Sequence, residues 1–116
     1  MTTEQRLNII TEALDDLKGQ EIQSMEVRHL TDMMEHIVIC TATSSAHAKS
    51  LARYLEQELK KQEISILGIE GQGKSDWVLV DTGDIVTHIM LEETRKMYAL
   101  EKLWNMNTRN EEMSRE

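Results

Sequence analysis

The sequence predicts a single α/β domain, a mixed sheet of about five strands with helices on its faces. Three observations carry that prediction. Helical and strand patterns follow one another in the order helix, strand, strand, helix, three strands, helix. The middle helix joins two strands through a long crossover, which implies a parallel pair and a right-handed connection. The run Asp81-Thr82-Gly83-Asp84 separates two strand patterns as a tight turn, which implies an antiparallel hairpin. A length of 116 residues suits one core and leaves little room for a second.

Each element has its own local reason. Thr2 and Gln5 have the spacing of a capping box, and Leu7, Ile10, Leu14 and Leu17 then recur at three- and four-residue intervals. Gly19 is the expected helix stop. Ile22 to Arg28 reads as a short strand and His29 to Glu35 as a polar loop. His36 to Thr41 is β-branched and apolar, a strand pattern. One of the serines in Thr43-Ser44-Ser45 is placed to cap the second helix, whose inner face is Ala48, Leu51, Ala52, Leu55 and Leu59. Ile64 to Ile69 is the next strand candidate, followed by a glycine-containing loop at residues 71–75. Trp77 to Val80 and Ile85 to Leu91 form the hairpin. Val78 and Val80 point one way from the first of these strands, Trp77 and Leu79 the other, so both faces need cover. Glu92 to Trp104 reads as the last helix, acids first and lysines later, as the helix dipole prefers. Residues 105–116 carry little apolar content and read as a flexible polar tail.

Composition narrows the function. Thirteen Lys+Arg against 21 Asp+Glu give a formal charge of −8. Phosphate backbones and anionic lipid repel such a surface, which argues against membrane or direct sequence-specific nucleic-acid binding and favours a basic protein partner. No apolar run exceeds four residues, so the sequence holds neither a membrane span nor the apolar segment of a secretory signal. The single cysteine, Cys40, permits no intrachain disulfide and fits a reducing compartment.

Several motifs invite a chemical reading. Gly68 to Ser75 matches the phosphate-binding pattern G-x-x-x-x-G-K-[ST] letter for letter. That loop works only when a helix follows at once and aims its amide groups at the phosphate. Here Asp76-Trp77-Val78-Leu79-Val80 follows, a strand pattern, so the residues read as a connection between strands. Asp81 and Asp84 resemble a magnesium-binding pair, but ligands on one strand face sit two residues apart and these sit three apart across a turn. Four histidines, His29, His36, His47 and His88, lack metal-ligand spacing. His47 near Ser44 and Ser45 has no recognisable orienting acid, so it reads as a capping or surface residue. His88, alternating with Val86 and Met90, reads as hydrogen-bonded and partly buried. Trp77, Tyr98 and Trp104 are three of only four aromatics, and Trp and Tyr are favoured as interface anchors. Trp104 has core spacing with Met97 and Leu100. Trp77, beside a loop, and Tyr98, offset from the apolar stripe, are the better interface candidates. Met90, Met97 and Met106 offer adaptable contact area nearby.

Six segments in fixed order resemble the ribosomal silencing factor family, also called Iojap-related. They are Asp15-Asp16-Leu17-Lys18-Gly19; Thr31-Asp32 leading into Ile37-Val38-Ile39-Cys40-Thr41; Thr43-Ser44-Ser45-x-His47; Glu70-Gly71 with Asp76-Trp77; Val80-Asp81-x-Gly83-Asp84-x-Val86-x-His88; and Tyr98-x-Leu100-Glu101-Lys102-Leu103-Trp104. The resemblance spans roughly residues 4–104, and it frames 1–104 as the silencing factor domain and 105–116 as the tail. Two positions depart from the pattern: Ala42 stands where glycine is expected, and Ala46 where an arginine precedes the histidine.

The resemblance implies a nucleotidyltransferase-like fold without a catalytic set, no enzymatic activity, no cofactor and no metal. It implies a cytoplasmic translational repressor that binds the large ribosomal subunit through its protein number fourteen. Such a factor blocks joining of the small subunit when nutrients are scarce. Whether the free protein is a homodimer stays open. The expected contact residues are Trp77 and Tyr98 as apolar anchors, Met90 beside them, and Asp81 and Glu101 pairing with basic groups. The alternative is a small magnesium-dependent nucleotide-binding or nucleotidyl-transferring enzyme.

Overall fold

The computed structural model describes residues 1–28 and 34–98. Helix α1 (Thr3–Asp16) begins with the expected box: the Thr2 hydroxyl accepts the Gln5 N–H and the Gln5 side chain accepts the Thr2 N–H. Its end is closed differently from the expectation. Lys18, not Gly19, takes the left-handed conformation (φ 61°), while Lys18 N–H bonds Asp15 O and Gly19 N–H bonds Leu14 O. Gly19 answers a packing need instead: a Cβ there would stand 2.5 Å from Cys40 Sγ and 2.9 Å from Leu14 O.

Next come β1 (Gln20–Glu26), β2 (His36–Ala42), α2 (Ser45–Lys61), β3 (Gly68–Glu70), β4 (Trp77–Asp81), β5 (Ile85–Leu91) and α3 (Glu92–Tyr98). The strands form one sheet in the order β1-β2-β5-β4-β3. β2 and β5 pair in parallel, and the other neighbours are antiparallel. The mixed five-stranded sheet matches the expectation, but the parallel pair is not the one the crossover suggested. β2 and β3, joined through α2, run in the same direction yet lie three positions apart. β5 takes the place beside β2 after the β3–β4–β5 meander folds back.

β3 is shorter than the expected Ile64 to Ile69. Gln62 caps α2, Glu63 turns left-handed (φ 58°), and the Ile64 N–H is spent on Leu59 O. Pairing resumes where Leu67 N–H reaches Asp81 O, and the strand proper starts at Gly68. The last helix is described through Tyr98. The rest of its expected span to Trp104, the tail boundary at 104/105 and most of the 29–35 loop lie outside the described residues.

Alternation divides the sheet into two faces. On one, Ala48, Leu51, Ala52, Leu55 and Leu59 of α2 and Ile10, Ala13 and Leu14 of α1 bury against Val38, Cys40, Val78, Val80, Ile85 and Ile89. Tyr54 adds a tie between the helices by donating its hydroxyl proton to Asp16 Oδ2 at 2.9 Å. On the second face, Ile37, Ile39, Met90 and Val27 form a smaller core with Met25, Met34 and Trp77 packed against it. Ala42, the first departure from the family pattern, closes β2 inside the larger core and has no left-handed φ, so this backbone does not require glycine there. α3 follows β5 without an intervening loop and lies against β5 and β2.

Candidate functional site

The chemical motifs resolve into structural roles. After Gly71 the chain makes a tight loop: Gly71 has φ 88°, and a Cβ there would collide with the Trp77 carbonyl. Ser75 is fully buried with φ 62°, its hydroxyl donating to Gln72 O at 2.6 Å. Strand β4 follows, not a helix, so the geometry of a phosphate-binding loop is absent here. At the β4–β5 turn, Asp81 Oδ1 accepts the Gly83 N–H at 2.8 Å, with Gly83 at φ 96°. Asp84 turns the other way and takes an ion pair from Arg6 and a hydrogen bond from Thr3 Oγ1 at 2.9 Å. Partial burial pushes the Asp84 carboxyl up, but the Arg6 and Thr3 hydrogen bonds outweigh it and hold it below the usual carboxylate range. The two acids therefore serve different partners. Among the described residues no three His, Cys, Asp or Glu side chains gather as metal ligands.

His47 is a clamp between helices. Ser44 caps α2 by accepting the His47 N–H, while His47 Nδ1 accepts the Thr43 N–H at 2.9 Å. Its Nε2 lies 2.8 Å from Leu17 O and donates to it, which assigns a neutral ring protonated on Nε2. Both ring nitrogens are occupied in holding the end of α1 to the start of α2. Cys40 is fully buried, and burial pushes its thiol up to about 11, which keeps it protonated.

The second face of the sheet carries the interface candidates. Trp77 pairs across the ladder with Met90, and Leu79 with His88. The Trp77 indole N–H donates to His88 Nδ1 at 3.0 Å, with the rings tilted by 46° at 5.9 Å between centroids. His88 is 8% exposed, and burial pushes its imidazole down to about 4. It is thus neutral and an acceptor on Nδ1, which pins the indole at a fixed angle. Trp77 remains partly exposed.

Met90 is a correction. It is fully buried in the small core, beneath rather than beside the surface, because its central-strand position between Thr41 and Trp77 packs it with Ile37, Ile39 and Val27. It supports Trp77 and has no surface to offer a partner. Asp81 stays partly exposed on the same face as Trp77, but four strand residues away, about 13 Å. One of its oxygens is committed to the turn. Tyr98 is the last described residue of α3, next to the 76% exposed Met97, and its side chain, like all of Glu101, lies outside the described residues. The structure thus brings Trp77, His88 and Met90 together and sets Asp81 apart.

Two residues of this region escaped the sequence reading in part. His88 was legible as a buried hydrogen-bonded histidine, though not as the partner of Trp77. Arg95 was not singled out at all. It is 8% exposed on α3, and its Nη1 donates to Glu21 O at 2.7 Å and to Thr41 Oγ1 at 2.8 Å. No local signal marks it, because both acceptors lie far away in sequence.

Comparison with known proteins agrees with this geometry. The profile of the family described as ribosomal silencing factor during starvation matches residues 1–116. A Haemophilus influenzae protein named ribosomal silencing factor RsfS is 40% identical over 98 residues, which cover 84% of this chain and 96% of that one. A mouse protein named mitochondrial assembly of ribosomal large subunit protein 1 is 30% identical over 111 residues, 93% of this chain and 49% of the mouse protein. A crystal structure of a Chromobacterium violaceum protein superimposes with a TM-score of 0.89 at 35% identity, covering 90% of this chain and 88% of that one. On sequence over its whole length and on fold alike, this chain belongs to the ribosomal silencing factor family.

Proposed function

We propose that this chain represses translation under nutrient limitation by sitting on the joining face of the large ribosomal subunit, against its protein number fourteen. There it excludes the small subunit by steric overlap. Family membership over residues 1–116 is the observation that carries this reading. The names of relatives support it, since one is named a ribosomal silencing factor and another is named for mitochondrial assembly of the ribosomal large subunit.

Physical considerations support the same reading. Occupancy needs a rigid body and a modest patch, on the order of 800 Å² per partner. The second sheet face offers a preset aromatic, Trp77 locked by His88, at the end of the sheet where α3 begins. A charge of −8 speeds encounter with a basic ribosomal protein and discourages adhesion to bare RNA. The factor transforms no substrate: Asp81 and Asp84, the acids a nucleotidyl-transfer site would need, are turned to Gly83 N–H and Arg6. The test is sedimentation with separated subunits. The chain is expected to pellet with large subunits and not with small ones; equal partition, or absence from both pellets, would overturn the reading.

A further inference from the structure

α3 starts directly after β5 with no intervening loop. Arg95 ties it to the sheet. Its Nη1 reaches two acceptors on different strands, Glu21 O on β1 and Thr41 Oγ1 on β2. The first acceptor exists because β1 is bulged. The β1–β2 register jumps from Gln20↔Thr41 to Gln23↔Ile39, so one extra residue is inserted, and Glu21 takes φ 45°. Glu21 falls outside the paired positions of the ladder, and its carbonyl oxygen takes the guanidinium instead. A bulge at a sheet edge often re-aims a group in this way. The guanidinium is nearly buried, so both bonds are made away from competing water.

We infer that Arg95 is a positioning residue for ribosome binding: by latching α3 onto the β1 bulge and Thr41, it presets the helix that carries Met97 and Tyr98. This rests on the reading of α3 as part of the ribosome-facing surface. Freed from the latch, α3 samples other directions, and apparent affinity falls by the fraction of time it is correctly placed.

The test compares the full chain with Arg95→Met, Arg95→Lys and Thr41→Val. The readouts are affinity for purified large subunits and backbone amide exchange. Arg95→Met is expected to weaken binding by about tenfold or more, the consequence of a latched state populated about one-tenth of the time. Exchange should quicken in residues 92–98 while β2 and β5 stay as protected as in the parent. Arg95→Lys keeps a charged donor and is expected to recover part of the affinity. Thr41→Val removes one acceptor at nearly constant shape and is expected to fall between parent and Arg95→Met. Parent-like affinity in Arg95→Met would overturn the inference. So would quickened exchange throughout β2, β5 and α2 in both Arg95→Met and Thr41→Val, since that is loss of fold and not loss of aim. Failure of the parent itself to bind large subunits would instead overturn the functional reading, which separates the two.

Discussion

Protonating His88 should cost the protein a measurable share of its stability within a defined pH window. The imidazole sits at about 4 in the folded chain against an ordinary 6.5, because it is buried. Between those values the unfolded chain holds a proton that the folded chain does not, so stability rises with pH from 4 to 6.5 and is lost on acidification through that range. The difference amounts to about 3 kcal/mol, a large part of a typical 5–15 kcal/mol total. Asp84, held below its ordinary value, contributes in the same direction, but its stabilisation is lost only below about pH 4. The assay is urea unfolding followed by tryptophan fluorescence at pH 7 and pH 4.5, in the parent and in His88→Asn. Asn keeps an acceptor for the indole and cannot titrate in this range. The parent should lose about 2–3 kcal/mol more than the variant across that interval. An imidazole that titrates near 6.5 by NMR in the folded protein, or equal losses in the two proteins, would refute the reasoning.

Two further predictions concern single side chains. Trp77→Ala and Tyr98→Ala should each weaken large-subunit binding by about 2 kcal/mol or more if they anchor the interface; a pull-down in which both hold the subunit like the parent removes that assignment. Cys40 should ignore thiol reagents at pH 8 in the native protein and react at once in denaturant, since burial holds it at about 11. Labelling at comparable rates in both states would contradict the buried, protonated thiol.

Much of the fold was readable from periodicity. The α2 stripe of Ala48, Leu51, Ala52, Leu55 and Leu59 is buried as its spacing required, and the apolar pattern of β4 on both sides foretold two cores. Short-range signals misled where long-range pairing decided. Nothing local in Ile64 to Ile69 shows that the Ile64 amide will close α2, and no local pattern tells which strand will lie beside β2. The left-handed turns after α1 and α2 fall on Lys18 and Glu63, a conformation that glycine adopts more readily, so no residue type announces them.

The candidate site was half legible for a related reason. Aromatic type pointed to Trp77, but its lock, His88, is a neighbour only across a ladder. Met90 looked like adaptable surface because methionine suits interfaces, yet a central strand between β2 and β4 leaves no exposed methionine there. Arg95 was invisible because its acceptors are 74 and 54 residues away, and one of them is made by a bulge that no pattern announces.

The central claim is repression by occupancy of the joining face, and subunit reassociation tests it most directly. Separated subunits are mixed under associating conditions, with increasing amounts of this chain pre-bound to the large one, and assembled ribosomes are followed by light scattering. The account predicts that assembly falls in step with occupied large subunits, with no nucleotide required. Full assembly at saturating occupancy would contradict it.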